Sequence, residues 1–291
     1  MDKMNKKDLN FVFWGTPEIA SKTLDILKDN GYLPSLIVTS PDRPQGRKMI
    51  ITPPPVKIWA EKNNIPYIQP EKITSDLLSN PGGLAKNPKV WDLFIVVAYG
   101  KIIPEEIINT PKLGTINIHY SLLPKYRGAS PIEQALLNGD KETGVSIQQM
   151  KYKLDSGPII AQSITPIGID ETKEDLKNRL IEIGGNLLCE ILPQIKDASI
   201  KTQTQDESQA TFCKKIKKED GEININDNPI KNYNKYRAYY GWPGTYFFTE
   251  KNGKKIRVKI TKAKYENNSF TIEWVIPEGK KEINYNDFKR N

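Results

Sequence analysis

The sequence predicts an α/β fold, in which a doubly wound, mostly parallel sheet is followed by a small antiparallel β domain. Two observations predict it. Up to residue 195, short and nearly continuous apolar runs alternate with helical patterns, as expected of strands that are covered on both faces. From residue 208 onward, apolar and polar residues alternate along several short segments, which is typical of antiparallel strands.

The predicted central strands of the first domain are Phe11–Trp14, Leu36–Thr39 and Leu93–Ala98. Between the first two strands, Thr16-Pro17-Glu18 begins a helix as a cap, an N1 proline and an early acid. Gly31 provides a stop for that helix. Strands that alternate with helices favour a parallel sheet with right-handed crossovers.

A further strand is predicted at Thr115–Tyr120, and two helices are predicted behind it. Ser130-Pro131 begins a helix that Gly139 ends. Thr172 with Asp175 resembles a capping box, and apolar residues then recur at helical spacing.

The second domain shows a different pattern. Asn252-Gly253 is a strong hairpin signal, and apolar residues alternate with polar ones over Ile256–Ile260 and again over Phe270–Trp274. Several short strands at this spacing predict a small OB-like β-barrel.

The charge distribution places the boundary between the two domains. From Asp206 to the end there are 18 basic and 12 acidic residues, so this shorter part holds most of the net charge of +8. Residues 196–207 are polar and lack long apolar runs. We therefore predict a first domain at 1–195, a linker at 196–207 and a basic second domain at 208–291.

Composition excludes several classes of protein. No run of about 18 apolar residues occurs, so we expect no transmembrane helix. The polar N-terminus shows no signal peptide, and two cysteines cannot build a disulfide framework, so we expect a cytoplasmic protein. His119 is the single histidine, which excludes a zinc site with several imidazoles, and we expect no metal.

The candidate active site follows from the surroundings of His119. On a strand at Thr115–Tyr120, Asn117 and His119 project from one face, near the carboxyl end where ligands bind in open α/β sheets. An amide and an imidazole can both donate hydrogen bonds to an oxygen that gains negative charge. Asp155 lies in a later loop, LDSGP, and a carboxylate there would favour a charged imidazole. Spacing alone would equally allow Asp155 a simple role in a turn.

These residues carry a resemblance to a known family. Asn117-x-His119, followed by SLLP at 121–124 and by Asp155, resembles the signature of the folate-dependent formyltransferases. The resemblance covers nearly the full length, with its segments in order. The matching stretches include FWGTPEIA (13–20), SPDRPQGR (40–47), INIHYSLLPKYRGASPI (116–132), LDSGPI (154–159) and GWPGT (241–245).

The resemblance implies a Rossmann-like catalytic domain and a specific reaction. The formyl group of 10-formyltetrahydrofolate, a co-substrate, moves to the free amine of methionine esterified to initiator tRNA, for translation initiation. The family pattern makes Asn117, His119 and Asp155 the catalytic residues. Our hypothesis is that Asn117 and protonated His119 hold the formyl oxygen, while Asp155 keeps His119 charged and removes the amine's proton through water.

The same resemblance implies the binding residues. For the folate they are Ser121, Leu122, Leu123 and Pro124 on one side and Tyr99, Gly100 and Ile102 on the other. For the tRNA we predict the Pro-rich loop and a basic stripe in the second domain, whose stretch 251–264 has seven basic residues and no acid. These tRNA residues are Arg43, Arg47, Lys48, Lys57, Lys254, Arg257 and Lys259. We expect no membrane partner, and a monomer.

One position departs from the family's pattern. Tyr120 stands where many members carry a small residue. Strand geometry places it on the face opposite His119, so we expect catalysis to survive. A residue of this size could still reshape the folate loop or the helix packing beneath, and the sequence leaves the preference for the donor open.

Four alternatives remain open from the sequence. A glycinamide ribonucleotide formyltransferase would normally end near Pro193, and a sugar amine formyltransferase would lack the Arg-rich loop at 43–48. A nucleotide-dependent oxidoreductase is disfavoured because GTPEIA follows the first strand in place of G-x-G-x-x-G. A non-catalytic RNA-binding module would leave Asn117, His119 and Asp155 without a purpose.

Overall fold

The computed structural model describes residues 9–46, 48–79, 91–251 and 253–290. They divide into two compact units that are interleaved along the chain. The first unit holds the chain up to Arg127, together with Gly144–Ile164 and Asn178–Ala210. The second holds Gly128–Thr143, Thr165–Lys177 and Thr211–Asn291. None of the described helices is both long and apolar enough to cross a membrane.

The secondary structure alternates strands and helices up to residue 196 and is mainly strands beyond it. The strands are β1 (Phe11–Gly15), β2 (Leu36–Val38), β3 (Arg43–Gln45), β4 (Ile50–Thr52), β5 (Tyr67–Ile68), β6 (Leu93–Val97), β7 (Thr115–His119), β8 (Arg127–Gly128), β9 (Glu142–Gln149), β10 (Ile159–Pro166), β11 (Phe212–Cys213), β12 (Thr245–Lys251), β13 (Lys254–Glu266), β14 (Ser269–Pro277) and β15 (Ile283–Asn284). The helices are α1 (Glu18–Asp29), α2 (Pro55–Lys62), α3 (Asp76–Ser79), α4 (Glu105–Ile108), α5 (Pro131–Asn138), α6 (Lys173–Lys196), α7 (Pro229–Ala238) and α8 (Tyr285–Arg290).

A seven-stranded sheet forms the centre of the first unit, in the order β10-β9-β7-β6-β1-β2-β5. The strands from β5 to β7 are parallel, and β9 runs antiparallel to β7. The prediction of a doubly wound, mostly parallel sheet is therefore confirmed. Because β1, β2, β6 and β7 are parallel, their carboxyl ends lie along one edge of the sheet.

The three predicted central strands are buried, as their apolar sequence requires. Each residue of β1, β2 and β6 is buried. Trp14 packs on Phe94 and, edge-on at 5.2 Å between ring centroids, on Tyr99. These aromatic rings sit in one core cluster with Val12, Val38 and Val96, which holds the sheet edge in place.

The helix ends agree with the predictions except at α1. Gly139 ends α5 with a φ of +69°, and Thr172 and Asp175 bond to each other in front of α6. Thr16 does not cap α1: Pro17 is the N-cap residue and makes no side-chain bond. Thr16 Oγ1 instead donates to the Tyr99 carbonyl and lies 3.1 Å from Ser40 Oγ. It therefore links the ends of β1, β6 and β2.

The second unit contains a four-stranded antiparallel meander in the order β12-β13-β14-β15. Lys251 pairs with Lys254, which confirms the predicted hairpin, although Asn252 of its turn lies outside the described residues. A parallel bridge between Glu222 and Tyr246 adds one more extended segment beside β12. The predicted α/β domain followed by an antiparallel β domain is thus confirmed.

The predicted alternation in β14 fails at its last member. Ile272 packs against the core with Val258 and Ile260, but Trp274 is 39% exposed and Val275 takes the buried position. The reason is a register shift between Ile260 and Ala263 on β13, where the ladder is irregular. A bulge of this kind moves the inward-facing set of the partner strand by one residue.

The segment predicted as a linker makes specific contacts in its second half. Gln203 forms an antiparallel bridge with Ile159, and Gln205 is 5% exposed. Both belong to the first unit. The predicted domain boundaries stay predictions, but residues 203–207 are fixed to the rest of the first unit by backbone and side-chain bonds.

Candidate active site

Asn117 and His119 lie on β7 at the carboxyl edge of the parallel strands. Asn117 pairs with Gln148 of β9, and His119 pairs with Ser146. Residues directly opposite each other in an antiparallel pair point to the same face of a sheet. The four side chains therefore line one face, on which a half-buried amide, an imidazole, a hydroxyl and a second amide meet.

His119 is 5% exposed, and each of its ring nitrogens faces a specific partner. Nε2 lies 2.9 Å from the carbonyl oxygen of Tyr126. Nδ1 lies 3.7 Å from Oδ2 of Asp155. A carbonyl oxygen only accepts hydrogen bonds, so Nε2 carries a proton and donates it. The atom that faces Asp155 is then Nδ1.

Asp155 reaches His119 from a separate loop, and the predicted approach of the two residues is present in the structure. The Asp155 carboxylate is 13% exposed, and its Oδ1 accepts a 3.0 Å hydrogen bond from the Gln148 amide. That bond leaves Oδ2 to face the imidazole. Gln148 is opposite Asn117 on β9, so it connects the amide's strand with the carboxylate's loop.

The Asn117 carboxamide makes no hydrogen bond to another part of the described chain. Its half-buried position keeps it accessible from outside the protein. An amide in this position can donate to a ligand oxygen without first breaking a bond inside the protein.

Two polar side chains that sequence reasoning missed hold the SLLP loop. Ser146 Oγ donates to the Ser121 carbonyl at 2.6 Å and accepts from the Leu123 amide at 3.0 Å. Gln162 Nε2 donates to the Leu123 carbonyl at 2.9 Å and to Ser146 Oγ at 2.8 Å. The sequence did contain a signal for a polar face there: Ser146 and Gln148 stand two residues apart, so on a strand both polar side chains point to one face.

The predicted folate residues of this loop divide into two kinds. Ser121 and Leu123 are buried, and the Ser121 hydroxyl donates to the Lys125 carbonyl at 2.6 Å. Leu122 and Pro124 are half-buried, so their side chains are the accessible part of the loop. The backbone bonds at Leu123 serve the fold, because they are already made to Ser146 and Gln162.

The predicted opposite wall follows β6, the strand next to β7. Tyr99 is 3% exposed, and its side chain belongs to the core on Trp14. Gly100 has a φ of +79° and open space where a Cβ would stand, and Ile102 is 79% exposed. Gly100 and Ile102 are thus available to a ligand at this edge, whereas the Tyr99 ring supports them from below.

The predicted tRNA residues of the Pro-rich loop differ in the exposure of their side chains and in the partners that these already have. Arg43 on β3 is exposed and forms an ion pair with Glu71. Lys48 is exposed, and Arg47 lies outside the described residues. Lys57 lies 2.7 Å from Asp42, and this hydrogen bond raises the pKa of the Lys57 ammonium. Lys57 therefore anchors the base of the loop.

The basic residues of the second unit lie on an aromatic surface of β12 and β13. The Arg257 guanidinium stacks 3.6 Å from the centroid of Tyr246, and Lys255 lies 4.6 Å from that of Phe248. Lys259 is half-buried on the same face of β13 as Arg257, whereas Lys254 is exposed at the start of the strand and alternates onto the opposite face. Tyr246 is buried beneath Arg257 and Phe248 is 39% exposed, so the cationic groups form a surface suited to phosphates.

Tyr120 lies on the other face of β7, as predicted. It is 6% exposed, and burial raises the pKa of its phenol. A Cβ on Gly184 of α6 would stand 3.6 Å from its ring. Tyr120 thus packs between the sheet and a helix, away from His119.

Among the residues described, no group of three or more His, Cys, Asp and Glu side chains is placed to hold a metal ion.

Comparison with known proteins agrees with this geometry. The family model described as formyl transferase matches residues 9–192, and the model of the formyl transferase C-terminal domain matches residues 215–284. A methionyl-tRNA formyltransferase of Halalkalibacterium halodurans is 40% identical over 86% of this chain and 77% of its own length.

Two solved structures share the fold across both units. An N-formyltransferase of Helicobacter canadensis, in complex with folinic acid and dTDP-3-aminofucose, matches with a TM-score of 0.62 at 19% identity, over 95% of this chain and 98% of its own. A methionyl-tRNA formyltransferase of Clostridium thermocellum matches with a TM-score of 0.59 at 18% identity, over 92% of this chain and 98% of its own. At these identities the likeness concerns the fold.

Proposed function

The chain belongs to the formyl transferase family, and on that premise we propose that it formylates methionyl-initiator tRNA for translation initiation, with 10-formyltetrahydrofolate as donor. The observation that carries the proposal is the meeting of His119 and Asp155, 3.7 Å apart, on the strand edge that also presents Asn117. The acceptor is that of the Halalkalibacterium relative, at 40% identity over most of both chains.

The reaction needs one oxygen to be stabilised and two protons to be moved. The amine nitrogen of methionine attacks the formyl carbon, whose oxygen gains negative charge as the carbon becomes tetrahedral. Asn117 donates to that oxygen from its side-chain amide. The imidazolium form of His119 donates to it through Nδ1, since the Tyr126 carbonyl already engages Nε2 and the 3.7 Å from Nδ1 to Asp155 Oδ2 is longer than a hydrogen bond. Donors of this kind each contribute about 2.7–4 kcal/mol to acyl transfer.

Asp155 completes the proton transfers. Its carboxylate accepts the proton that the attacking amine loses, through a bridging water, and keeps the imidazolium of His119 beside it. When the carbon–nitrogen bond to the folate breaks, His119 or a water returns a proton to the departing nitrogen. The amine itself is the nucleophile, so the transfer proceeds without a covalent enzyme intermediate.

We assign the folate to the space between two strand ends. On the β7 side it meets Leu122 and Pro124, which are half-buried, while Ser121 and Leu123 fix the loop. On the β6 side it meets Gly100 and Ile102, with Tyr99 beneath. A flat pteridine suits such a slot, since apolar side chains cover its faces and few polar groups orient it.

We assign the tRNA to two basic surfaces. Arg43 and Lys48 are exposed on the Pro-rich loop, which leaves the sheet after β2, at the same carboxyl edge as His119. Arg257 and Lys259 form the second surface, on one face of β13, and Lys254 lies exposed at the start of that strand. Lys57 acts through Asp42 to hold the loop. We further propose that the enzyme works as a monomer in the cytoplasm, where charged tRNA is made.

An assay with two acceptors tests the function. The purified full chain is given 10-formyltetrahydrofolate with either methionyl-initiator tRNA or a nucleotide-linked amino sugar, and formylated product is measured. We expect product with the tRNA and at most about a thousandth of that rate with the sugar, a difference of roughly 4 kcal/mol in transition-state binding. The reverse preference, or no product with the tRNA, would overturn the proposed function.

A further inference from the structure

Arg127 is a buried guanidinium that follows directly on a partner of His119. Its side chain is fully buried. It donates to Gln205 Oε1 from Nε at 3.1 Å and from Nη2 at 2.8 Å, and its Nη2 also lies 2.8 Å from Glu207. The residue before it is Tyr126, whose carbonyl accepts the His119 Nε2 hydrogen bond.

Gln205 uses the other end of its amide on the loop of Asp155. Its Nε2 donates to the carbonyl oxygens of Asp155 at 2.9 Å and of Gly157 at 2.7 Å. It is also 3.4 Å from Gln148 Oε1. One buried amide thus joins the Arg127 guanidinium to the backbone that carries the Asp155 carboxylate.

The two backbone segments held in this way are both strained. Tyr126 has a φ of +61° and Asp155 a φ of +46°, in the left-handed region that residues other than glycine seldom adopt. Such conformations persist only where surrounding bonds determine them, and they concentrate at functional sites. Here the surrounding bonds include those that Arg127 makes to Gln205 and that Gln205 makes to the Asp155 carbonyl.

We propose that Arg127 and Gln205 are positioning residues, which together fix the Tyr126 carbonyl on Nε2 of His119 and the Asp155 carboxylate on Nδ1. The first contact sets which ring nitrogen carries the proton, and the second sets where the other nitrogen finds its charge partner. This inference deepens the proposed function and rests on it for its consequence in turnover.

The contacts extend outward to the surface. Glu207 joins Arg127 and lies 2.7 Å from the Lys153 ammonium, and these partners lower the pKa of the Glu207 carboxyl to about 2. The Glu207 carboxyl therefore stays charged at neutral and mildly acidic pH. A buried guanidinium needs such a partner, because an unpaired buried charge is costly.

Two substitutions of Gln205 separate positioning from plain structural support. Gln205→Glu keeps an acceptor for Arg127 and loses the donor to the Asp155 and Gly157 carbonyls. Gln205→Met loses both. Gln203→Met is the matched control, since Gln203 is exposed in the same segment and pairs with Ile159 only through its backbone.

The first readout is the imidazole of His119, the chain's single histidine, by nitrogen–proton NMR of protein labelled with 15N-histidine. In the wild type and in Gln203→Met we expect the neutral ring to carry its proton on Nε2. In both Gln205 variants we expect mixed or exchange-broadened ring signals. This readout needs no substrate, so it stands even if the acceptor assay fails.

The second readout is kinetic. With methionyl-tRNA and the folate donor, both Gln205 variants should lose about tenfold or more in kcat, while each KM stays within about threefold, as expected when orientation is impaired. A folded Gln205→Glu or Gln205→Met protein with the wild-type His119 spectrum would overturn the inference. So would loss of folding in both, which would show structural support alone.

Discussion

The surroundings of His119 and the hairpin of β3 and β4 differ in how their polar groups are held. His119 is 5% exposed, and the hydrogen-bond partners around it come from β9, from the Asp155 loop and from residues 203–207. The hairpin is exposed along both strands, and Arg43 pairs with one acid, Glu71, which is exposed too. Its anchoring bonds, which Lys57 and Gln69 donate to the Asp42 carboxylate, lie at its base.

This difference separates two tasks. Transfer of a formyl group needs donors held within a fraction of an ångström, which side chains on a buried strand with a bonded surrounding provide. Capture of a large polyanion needs charge that can adapt, and exposed cations with weak partners provide that. Changes at His119 should therefore act on turnover, and changes on the hairpin should act on tRNA affinity and its salt dependence.

The largest effect is expected at the buried region. Asn117→Ala and His119→Ala should each lower kcat at least about a hundredfold, because each removes a donor to the developing oxyanion. Circular dichroism should show the wild-type fold, and calorimetry with folate should show binding. A His119→Ala protein with near-normal turnover would remove the proposed mechanism.

A smaller and different effect is expected at the hairpin. Arg43→Ala should raise the KM for tRNA by about tenfold, leave kcat within about threefold, and reduce the salt slope of tRNA binding by about one. Glu71→Gln is the paired variant: it frees Arg43 and should lower that KM by about twofold, since exposed ion pairs are weak. If Arg43→Ala instead lowers kcat alone, the division of tasks is wrong.

The smallest effect is expected at Glu207, the acid that pairs with Arg127. The pKa of the Glu207 carboxyl is lowered from 4.5 to about 2 by the Arg127 and Lys153 side chains. Its contribution to folding is therefore present above pH 4.5 and is lost as the pH falls toward 2. The free energy of unfolding of Glu207→Gln, measured with urea, should be slightly below that of the wild type at neutral pH. Between pH 4.5 and 2 it should fall less than that of the wild type. Parallel pH curves for the two proteins would contradict this.

The sequence predicted the strands and the meeting of Asn117, His119 and Asp155 because those features are local or carried by motifs. Apolar runs predict buried strands, and β7 with its polar residues predicts a ligand edge. The capping role given to Thr16 was wrong, because its hydroxyl bonds to the Tyr99 carbonyl from a distant strand. No local pattern contains that information.

The supporting residues could not be predicted for the same reason. Gln205 lies in a polar stretch that reads as a linker, and its contacts to Asp155 and Arg127 span 50 and 78 residues of sequence. The outward turn of Trp274 depends on a register shift in the neighbouring strand. Arg43 was predicted for tRNA, but its ion pair with Glu71 emerges only when β3 meets the chain beyond β5.

The proposed mechanism requires the Asp155 carboxylate to act on His119 during formyl transfer. The single-turnover rate of Asp155→Asn, with methionyl-initiator tRNA and saturating folate donor, measures that requirement. The asparagine side chain can still accept the hydrogen bond from the Gln148 amide, but it presents no negative charge to His119 Nδ1. We predict a rate at least about a hundredfold below the wild type with unchanged folate affinity. A rate within about threefold of the wild type would contradict the account.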